Sequence, residues 1–503
     1  MLGFEPKDVL VETYVDTRSV FQDIDIVGLA DTATKESKKR VRSAIKSNSF
    51  PIPRGKITIN LAPGDLKKEG TILDLPICIS ILESTEKIEK EIPDNFYFYG
   101  ELGLDGKIRK VKGLLPVLIF LSESRSDAEV FIPKGNEEEA SLIEGLSIYT
   151  AEDIHDLIAH LNGNVELPRM VKKDYFSDMH SYEYDFADVK GQYTAKRALE
   201  IAAAGAHNVL MKGPPGSGKT MLAKRIPTIL PNLKEKEFVE TVSVHSVMGD
   251  VEQSIIDKKH RPFRTPHHSS SRASIIGGGV DAKPGEISLA HNGVLFMDEF
   301  PEFSKDVIEG LRQPMEDGVV NISRAKLSAS YPSKFMLIAA QNPCPCGNYG
   351  DEKRQCICSY RDILRYNKKI SGPILDRMDI VIDVPRMGYD EYEKMSSGEK
   401  SSDILARVIN ARDIQFNRLK GNSFSYDLTN SRLNTKGLKE FCALDEKSEK
   451  LLKMAIKKLL LTGRGVNKIL KISRTIADLE GRTKIISQDV AEAIQFREKN
   501  EFI

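Results

Sequence analysis

The sequence predicts a multidomain α/β protein whose central part is a parallel β-sheet covered by helices on both faces. Its 503 residues are too many for one hydrophobic core, so two to four domains are expected. Across residues 185–388, short apolar segments alternate with helical ones, as in a parallel sheet. The predicted strands are Asn208–Lys212, Gly293–Met297, Phe335–Ala340 and Ile380–Val384. Residues 389–503 show helical periodicity and almost no strand signal.

The first 165 residues predict a separate α+β domain. Strand-like segments at Lys56–Leu61 and Glu129–Ile132 are mixed there with helical segments at Lys35–Lys46 and Glu152–Leu161. A polar segment dotted with aromatic residues, 166–184, is interpreted as a linker to the central domain.

The composition is that of a soluble globular protein, with 40% hydrophobic and 29% charged residues. Lysine plus arginine equals aspartate plus glutamate, at 73 each, so a nucleic-acid surface would have to be a local patch. The N-terminus shows no secretory signal, and the apolar run around Leu114–Leu121 is far shorter than the ~20 residues that span a bilayer. These features predict a cytoplasmic protein without a membrane partner.

A phosphate-binding loop follows the first central strand and opens a helix. The segment matches the Walker A pattern in full and consists of Gly213, Pro214, Pro215, Gly216, Ser217, Gly218, Lys219 and Thr220. Glycines let backbone N–H groups surround phosphate oxygens, Lys219 reaches the β/γ-phosphates, and the Thr220 hydroxyl binds Mg²⁺. A chance glycine turn before a helix-capping threonine is the alternative, but the order of strand, loop and helix argues against it. ATP and Mg²⁺ are therefore the predicted cofactors.

The second central strand ends in two acids, Asp298 and Glu299, which is the Walker B pattern. Asp298 would hold Mg²⁺, and Glu299 would act as the general base on the attacking water. Strand ends often carry solvated acids, so this assignment depends on the Walker A loop upstream. The third strand ends at Asn342, which would then lie between the two Walker strands near the γ-phosphate. A turn-forming asparagine before Pro343 is the alternative interpretation.

Together these residues resemble the AAA+ superfamily and, more narrowly, its magnesium-chelatase-like (YifB/ComM) family. The resemblance covers essentially the whole chain. The matching segments are Asp185–Gln192, Arg264–His268, Pro284–Gly293, Asn342–Gly347, Leu375–Asp379, Gly463–Asn467 and Ser473–Leu479.

The resemblance implies further roles around the nucleotide. Asn342 would be the sensor-1 residue, and Val189–Gln192, including Gly191, would lie beside the adenine. Arg474 would be the sensor-2 residue on a helical lid formed by residues 389–503. Arg377 would be an arginine finger for the ATP of a neighbouring subunit, which implies a homohexamer. The alternative for Arg377 is a surface salt bridge with Asp376 or Asp379.

The N-terminal domain resembles the Lon-protease-like (ribosomal S5 domain 2-like) domain of this family, with Gly100–Arg109 as the recognisable stretch. Lon-type proteases use a serine activated by a lysine. This chain has Gly70–Pro76 where the serine is expected and Leu115 where the lysine is expected, so the domain is predicted to be non-proteolytic.

Two insertions in the central domain could contact DNA. The first, about Ser243–Lys283, contains Gly277–Gly279 and cationic or imidazole groups that suit a phosphate-gripping pore loop, namely Arg264, His267, His268 and Arg272. An ordered surface loop whose histidines cap backbone groups is the alternative. The second, Gly318–Ala329, predicts a β-hairpin with Arg324 and Lys326 near its turn.

Four cysteines, Cys344, Cys346, Cys356 and Cys358, form a C-x-C-x9-C-x-C pattern that could close a tetrahedral Zn²⁺ site. The C-x-C spacing is tighter than the usual C-x2-C, and unmetallated, half-exposed cysteines are the alternative. Cys78 and Cys442 lie in apolar surroundings and predict buried small hydrophobes.

The leading functional hypothesis is a hexameric ATP-driven DNA motor, by resemblance a branch-migration helicase acting on single-stranded and branched DNA when incoming strands recombine. A remodelling ATPase for a protein partner, including a magnesium-chelatase-type motor subunit, is the alternative, although no porphyrin is expected. The sequence leaves open the preferred DNA structure, the direction of translocation and the physiological trigger.

Overall fold

The structure is a computed structural model. It describes residues 7–19, 23–66, 68, 70–173, 182–249, 255, 259–279, 282–323, 328–351, 354–386, 398–423 and 428–497.

The chain divides into two compact units. The first comprises Met1–Asp178 together with Val242–Asp257, and the second comprises Met179–Thr241 together with Lys258–Ile503. The helix Glu235–Met248 therefore begins in the second unit and ends in the first. The division after Asp178 falls inside the segment predicted as a linker, and the early part of that segment packs on the first unit. Leu167 is buried there, and the Met170 N–H donates to the Ile148 carbonyl at 2.8 Å.

The first unit combines short sheets with helices. Its described strands are β1 Leu10–Asp16, β2 Ile24–Val27, β3 Lys56–Ala62, β4 Phe96–Phe98, β5 Glu101–Leu102, β6 Ile108–Arg109, β7 Glu129–Pro133 and β8 Ser147–Ala151. One sheet has the order β1-β3-β2, with β1 antiparallel to β3, and another has the parallel order β4-β7-β8. Strands β5 and β6 form a small hairpin. The described helices are Thr32–Ser47, Asp74–Glu83, Leu114–Ser124, Glu137–Ala140 and Ile154–Leu161.

Alternating burial explains why β3 forms a strand. Ile57, Ile59 and Leu61 are buried, and the residues between them are half-buried or exposed, as expected for a strand with one face on a core. The helix Thr32–Ser47 begins at Asp31, whose carboxylate accepts from the Thr34 N–H at 2.7 Å.

The second unit is built around a parallel sheet. Its strands are β9 Val209–Lys212, β10 Phe263–Arg264, β11 Gly277–Gly278, β12 Lys283–Pro284, β13 Val294–Met297, β14 Val319–Ser323, β15 Ser328–Pro332, β16 Met336–Gln341 and β17 Ile380–Asp383. Five of them form one fully parallel sheet in the order β10-β13-β16-β9-β17. The helices around it are Tyr193–Gly205, Lys219–Arg225, Arg272–Ile276, Glu286–Leu289, Lys305–Gly310, Arg312–Asp317, Tyr360–Asn367 and Gly372–Leu375.

All four predicted strands are confirmed. Every residue of β13 and β16 is buried, which is expected when helices cover both faces of a parallel sheet. Strand β16 lies between β13 and β9, so the predicted position of Asn342 between the Walker strands is also confirmed. Strand β10 was not predicted, because two residues carry no periodicity.

The predicted hairpin is confirmed as β14 and β15, which pair antiparallel from Val319↔Pro332 to Ser323↔Ser328. Arg324 and Lys326 lie outside the described residues.

The C-terminal region is helical, as its periodicity predicted. Its described helices are Ser401–Leu419, Thr435–Phe441, Glu446–Leu459, Gly463–Leu479 and Ser487–Gln495. Ile469, Ile472 and Ile476 recur at helical spacing and share a buried core with the sheet strands β9 and β17. Among the described helices of the chain, none is long and apolar enough to cross a membrane.

Candidate nucleotide site

The Walker A loop connects β9 to the helix Lys219–Arg225. Gly216 and Gly218 have φ values of 78° and 93°, a region that favours glycine because a Cβ is strained there. A Cβ on Gly213 would lie 2.2 Å from the Val384 carbonyl oxygen, so this position has no room for a side chain. These glycines let the loop turn tightly at the carboxyl edge of the sheet.

Lys219 is nearly buried, with 8% of its surface exposed. Its Nζ donates to the carbonyls of Gly213 at 2.6 Å and Pro214 at 2.9 Å, and to Asn342 Oδ1 at 3.3 Å. Burial lowers the pKa of its ammonium, against the opposing effect of Asp298 and Glu299. All three hydrogen-bond partners are neutral, so a phosphate can replace them with a gain in charge pairing.

Thr220 and Asp298 come together at the start of this helix and the end of β13. The Thr220 hydroxyl donates to Asp298 Oδ2 at 2.6 Å, and the other carboxylate oxygen accepts from the Glu299 N–H at 2.9 Å. A hydroxyl and a carboxylate are hard oxygen donors, which fit Mg²⁺ held between protein and phosphate oxygens. The residues predicted for Mg²⁺ are therefore adjacent.

Glu299 has a left-handed backbone conformation, with φ of 49°, directly after Asp298. An αL conformation in a non-glycine residue is uncommon and recurs at functional sites. Its carboxylate Oε2 lies 3.4 Å from His268 Nδ1, so His268 stands beside the candidate general base. The sequence had assigned His268 only to a DNA-contacting loop.

The segment predicted to lie beside the adenine also contacts the Walker A loop. Val189 is fully buried, and Gly191 has φ of 59°. Gln192 donates from Nε2 to the Pro385 carbonyl at 2.8 Å and the Ser217 carbonyl at 3.4 Å. Arg386 was missed by the sequence analysis, yet its Nη2 donates to the Pro215 carbonyl at 3.0 Å.

Comparisons with known proteins assign the chain to a family. The family models described as "Magnesium chelatase, subunit ChlI", "Subunit ChlI of Mg-chelatase" and "Magnesium chelatase, subunit ChlI C-terminal" match residues 185–392, 11–136 and 398–497. "Competence protein ComM" of Haemophilus influenzae is 42% identical over 477 residues, which cover 94% of this chain and 91% of that protein. The chain belongs to the magnesium-chelatase-like family of ComM and YifB. Membership in this AAA+ family implies ATPase activity with ATP and Mg²⁺.

Two further relatives show how far the family likeness extends. "Uncharacterized protein YifB" of Escherichia coli is 38% identical over 498 residues, which cover 99% of this chain and 95% of that protein. The "Magnesium-chelatase 67 kDa subunit" of Chlorobaculum parvum is 28% identical over 163 residues, only 31% of this chain and 23% of that subunit. The ComM and YifB likeness therefore spans both units of the chain.

Arg377, the predicted arginine finger of this ComM/YifB-family chain, is held at the end of the helix Gly372–Leu375. Its Nη1 donates to the Pro373 carbonyl at 2.7 Å, and its Nη2 pairs with the half-exposed carboxylate of Glu316. The alternative interpretation named the wrong salt-bridge partners. Asp379 is nearly buried and pairs with Lys468 at 3.5 Å, and the described contacts of Arg377 do not include Asp376.

Arg474, the predicted sensor-2 residue, lies in the interior of the helical region with 1% of its surface exposed. It donates from Nε to Asp478 at 3.1 Å, from Nη1 to the Thr483 carbonyl at 2.8 Å, and from Nη2 to the Arg482 carbonyl. Asp478 also accepts from Arg418 at 2.6 Å. Its described contacts thus do not bring Arg474 to the Walker residues.

A second arginine was missed on the face that carries Arg377. Arg464, at the start of the helix Gly463–Leu479, is largely exposed, and its guanidinium lies 4.0 Å from Glu316. Both arginines line one cleft with Asp376 and Lys468. Glu316 therefore connects the two arginines. Only the position of Arg464 in the segment Gly463–Asn467 could have drawn notice to it.

The predicted DNA-contacting residues of the first insertion that the structure describes make contacts within their own chain. Arg264 belongs to β10 and forms a two-point pair with Glu286 at 2.7 and 3.1 Å. His267 lies against the ring of His268, with centroids 4.1 Å apart, and Arg272 is exposed at the start of its helix. Gly277 is a packed position, with φ of 107°, and a Cβ there would lie 2.8 Å from Ile322 Cδ1 and 2.9 Å from the Lys283 carbonyl oxygen. Its backbone conformation and the nearby carbonyl together require glycine.

The four clustered cysteines lie together after β16. Their Sγ atoms are all within 4.8 Å of one another, and all four are free thiols. Cys344 is buried and the other three are half-buried. Cys78 and Cys442 are buried in apolar cores, as predicted.

Proposed function

We propose that the protein is a hexameric ATP-driven DNA motor. Its proposed activity is branch migration that promotes recombination of incoming single-stranded DNA during natural transformation. Its cofactors are ATP and Mg²⁺, with a structural Zn²⁺ on the four clustered cysteines, and no porphyrin takes part. The observation that carries the ATPase part is the convergence of Lys219, Thr220, Asp298 and Asn342 at one edge of the parallel sheet.

The chemistry follows from the roles of these groups. Lys219 and the loop N–H groups hold the β/γ-phosphates, and Thr220 with Asp298 holds Mg²⁺. Glu299 accepts a proton from the attacking water, and Asn342 orients the γ-phosphate or that water. The Nδ1 of His268 lies 3.4 Å from the Glu299 carboxylate, so His268 is proposed to position this base.

The hexamer is proposed because the guanidinium of Arg377 is not among the described contacts of its own chain's Walker loop. An arginine finger supplied by a neighbouring subunit stabilises charge on the transferring phosphoryl group. The Glu316 carboxylate, 56% exposed, is a partner that a phosphate can displace. Residues 389–503 are proposed as the lid of each subunit.

DNA is proposed as the substrate on two grounds. The relative from Haemophilus influenzae is named a competence protein, and the likeness to it covers 94% of this chain. The hairpin of β14 and β15 precedes the sensor-1 strand, and the sequence between the two strands contains Arg324 and Lys326, which suit phosphate contacts. These two residues, with Arg272, are the proposed DNA contacts. Arg264 and His268 are already engaged with carboxylates and are weaker candidates.

The first unit is proposed to be a non-proteolytic Lon-like domain that handles DNA or assists assembly. Asp74, in the segment where a Lon-type serine is expected, is fully buried and pairs with Arg40 at 2.6 Å. Leu115, where the lysine is expected, is fully buried as well. Asp74 therefore does not supply the hydroxyl of a serine nucleophile, and Leu115 has no amine that could act as the base.

A remodelling ATPase acting on a protein partner is the second candidate, and the chelatase descriptions of the family models favour it. The N-terminal unit does not separate the two candidates, because the model that matches residues 11–136 also carries a chelatase description. The share of the chain that each relative matches favours the DNA motor. The chelatase subunit matches 31% of the chain, whereas the competence protein matches 94%.

The deciding experiment measures the ATPase rate of the purified full chain without DNA, with single-stranded DNA and with branched DNA. The DNA motor predicts a large stimulation that Arg324→Ala reduces. Lys305→Ala removes one exposed positive charge elsewhere in the same unit and serves as the matched control. Normal basal hydrolysis without stimulation by any DNA would contradict the DNA motor and favour a protein substrate. The assignment of the nucleotide site would still stand.

A further inference from the structure

The cysteine loop begins where the sensor-1 strand ends. The Sγ atoms of Cys344 and Cys346 are 3.4 Å apart, and Cys356 Sγ lies 3.7 and 3.6 Å from them. A tetrahedral zinc site with Zn–S bonds of ~2.3 Å places its sulfurs ~3.8 Å apart. We infer that a Zn²⁺ ion on Cys344, Cys346, Cys356 and Cys358 braces the Walker A loop, so that metal binding controls the affinity for ATP. This inference rests on the proposed nucleotide and zinc sites.

A metal explains these four cysteines better than packing does. Cys346, Cys356 and Cys358 are half-buried, whereas the other two cysteines of the chain are buried in apolar cores. The Tyr349 N–H donates to Cys344 Sγ at 3.3 Å, as backbone amides do around metal-bound thiolates. The described residues between β16 and the helix Tyr360–Asn367 form no helix or strand. A crosslink through one ion supplies the rigidity that regular structure does not.

The loop touches the Walker A loop directly at Gly347. This glycine has φ of 80°, and a Cβ on it would lie 2.6 Å from Pro215 Cδ. Gly347 is within one residue of Cys346, so its position follows the metal site. The backbone of the cysteine loop therefore packs directly on Pro215 of the Walker A loop, with no side chain between them.

A second connection reaches the same proline through Arg386. Its Nη2 donates to the Pro215 carbonyl at 3.0 Å and lies 3.5 Å from the Asp351 carboxylate. Asp351 belongs to the segment between the two cysteine pairs, and its side chain is 3% exposed. One guanidinium thus ties the cysteine loop to the phosphate-binding loop.

A third connection holds Asn342, which contacts Lys219. Asn367, at the end of the helix after the cysteines, donates from Nδ2 to the Pro343 carbonyl at 3.4 Å, and its Oδ1 accepts from Gln341 at 3.4 Å. The metal joins the beginning and the end of this loop. Its loss would loosen the supports of Pro215 and of Asn342 together.

The test measures metal content and nucleotide binding in the full chain, without DNA. Zinc is quantified by inductively coupled plasma mass spectrometry, and Co²⁺ replacement reports tetrahedral thiolate ligation by its absorption bands. Affinity is measured with a fluorescent ATP analogue. The variants are Cys346→Ser, which removes a ligand, and Gly347→Ala, which keeps every ligand but presses on Pro215. Ile357→Ala is the matched control, because Ile357 lies between two ligands but is 87% exposed.

We expect one zinc per chain in the wild type, Gly347→Ala and Ile357→Ala, and zinc loss in Cys346→Ser. The ATP analogue should bind about fivefold weaker or more in Cys346→Ser and Gly347→Ala, the effect of about one net hydrogen bond, and normally in Ile357→Ala. Wild-type protein without zinc, or with these thiols paired as disulfides, would overturn the metal site. Zinc loss with unchanged affinity would overturn the brace. Neither result depends on whether DNA is the substrate.

Discussion

The sheet edge and the C-terminal helical region each bury a cation, but with partners of opposite kind. Lys219 at the sheet edge donates only to two backbone carbonyls and an asparagine side chain. Arg474 in the helical region pairs with the buried carboxylate of Asp478. A buried cation with neutral partners gains strongly from an anionic ligand, whereas one already paired with a carboxylate holds its own fold together. The charge of the partner therefore distinguishes a binding group from a structural one.

Arg377 is intermediate between these two cases. Its partner Glu316 is a carboxylate, as for Arg474, but 56% of that side chain is exposed. The Arg377 side chain is only 13% exposed, but solvent at the glutamate weakens the pair, so the guanidinium can leave it for a phosphate. The following substitutions test this three-way contrast.

Arg377→Ala should have the largest effect. We expect hydrolysis to fall by about 10³-fold or more, the contribution of an arginine finger, while ATP binding stays normal. Turnover should be measured at protein concentrations where the ring is assembled. Arg312→Ala is the control, because Arg312 is an exposed arginine that pairs with Glu309 three residues before it. Normal hydrolysis by assembled Arg377→Ala would rule out the finger role.

Glu299→Gln should lower turnover by about 10²–10⁴-fold, because it removes the general base. ATP should remain bound, since Lys219, Thr220 and Asp298 are untouched. Nucleotide bound after gel filtration and single-turnover hydrolysis are the two measurements. Glu302→Gln, which alters a surface pair with Lys369 nearby in the sequence, should behave like wild type. Full hydrolysis by Glu299→Gln would contradict the Walker B assignment.

Arg474→Met and Lys219→Met form a matched pair that separates structure from binding. Arg474→Met should lower the free energy of unfolding by about 1–3 kcal/mol, because the Thr483 and Arg482 carbonyls lose their donor while Asp478 keeps its pair with Arg418. Lys219→Met should leave the unfolding midpoint near wild type and weaken ATP binding by about tenfold or more, as expected for a lost bond to a charged group. Thermal unfolding and analogue binding report the two effects. An Arg474→Met protein of normal stability with impaired ATP binding would restore Arg474 as a nucleotide contact.

Glu316→Gln should have the smallest effect. We expect the unfolding free energy to change by less than about 1 kcal/mol, because the pairs with Arg377 and Arg464 are largely exposed on the glutamate side. Chemical denaturation of the full chain measures this change. A loss of several kcal/mol would mean that Arg377 is a structural residue like Arg474.

Local patterns were enough to predict the sheet edge. Strands β9, β13 and β16 are short, mostly apolar runs, and Lys219, Asp298 and Asn342 each follow one of them within seven residues. Because parallel strands end at the same edge, adjacency in sequence becomes adjacency in space. The one tertiary fact needed was the position of the third strand, which the sequence interpretation placed between the two Walker strands.

Pairings between distant residues could not be predicted in the same way. Arg264 and Arg474 look like free cations in the sequence, and only the fold brings them to Glu286 and Asp478. Arg386 reaches Pro215 across 171 positions of the chain. Gly277 approaches Ile322, which belongs to a later hairpin. Composition and periodicity carry no information about such partners.

The helix segment Val242–Met248, which belongs to the first unit, has a practical consequence for designing truncated proteins. Within that unit the Ser246 hydroxyl donates to Glu139 at 2.7 Å, and the Gly113 N–H donates to the Ser246 carbonyl at 2.8 Å. A truncated protein that begins after Asp178 would keep the segment Val242–Met248 but lack the residues of the first unit that surround it. Side chains that are now buried, such as Val244, would then be exposed to water. The second unit expressed by itself would thus expose an apolar surface that favours aggregation. Loss of activity in such a fragment could not be attributed to the missing half.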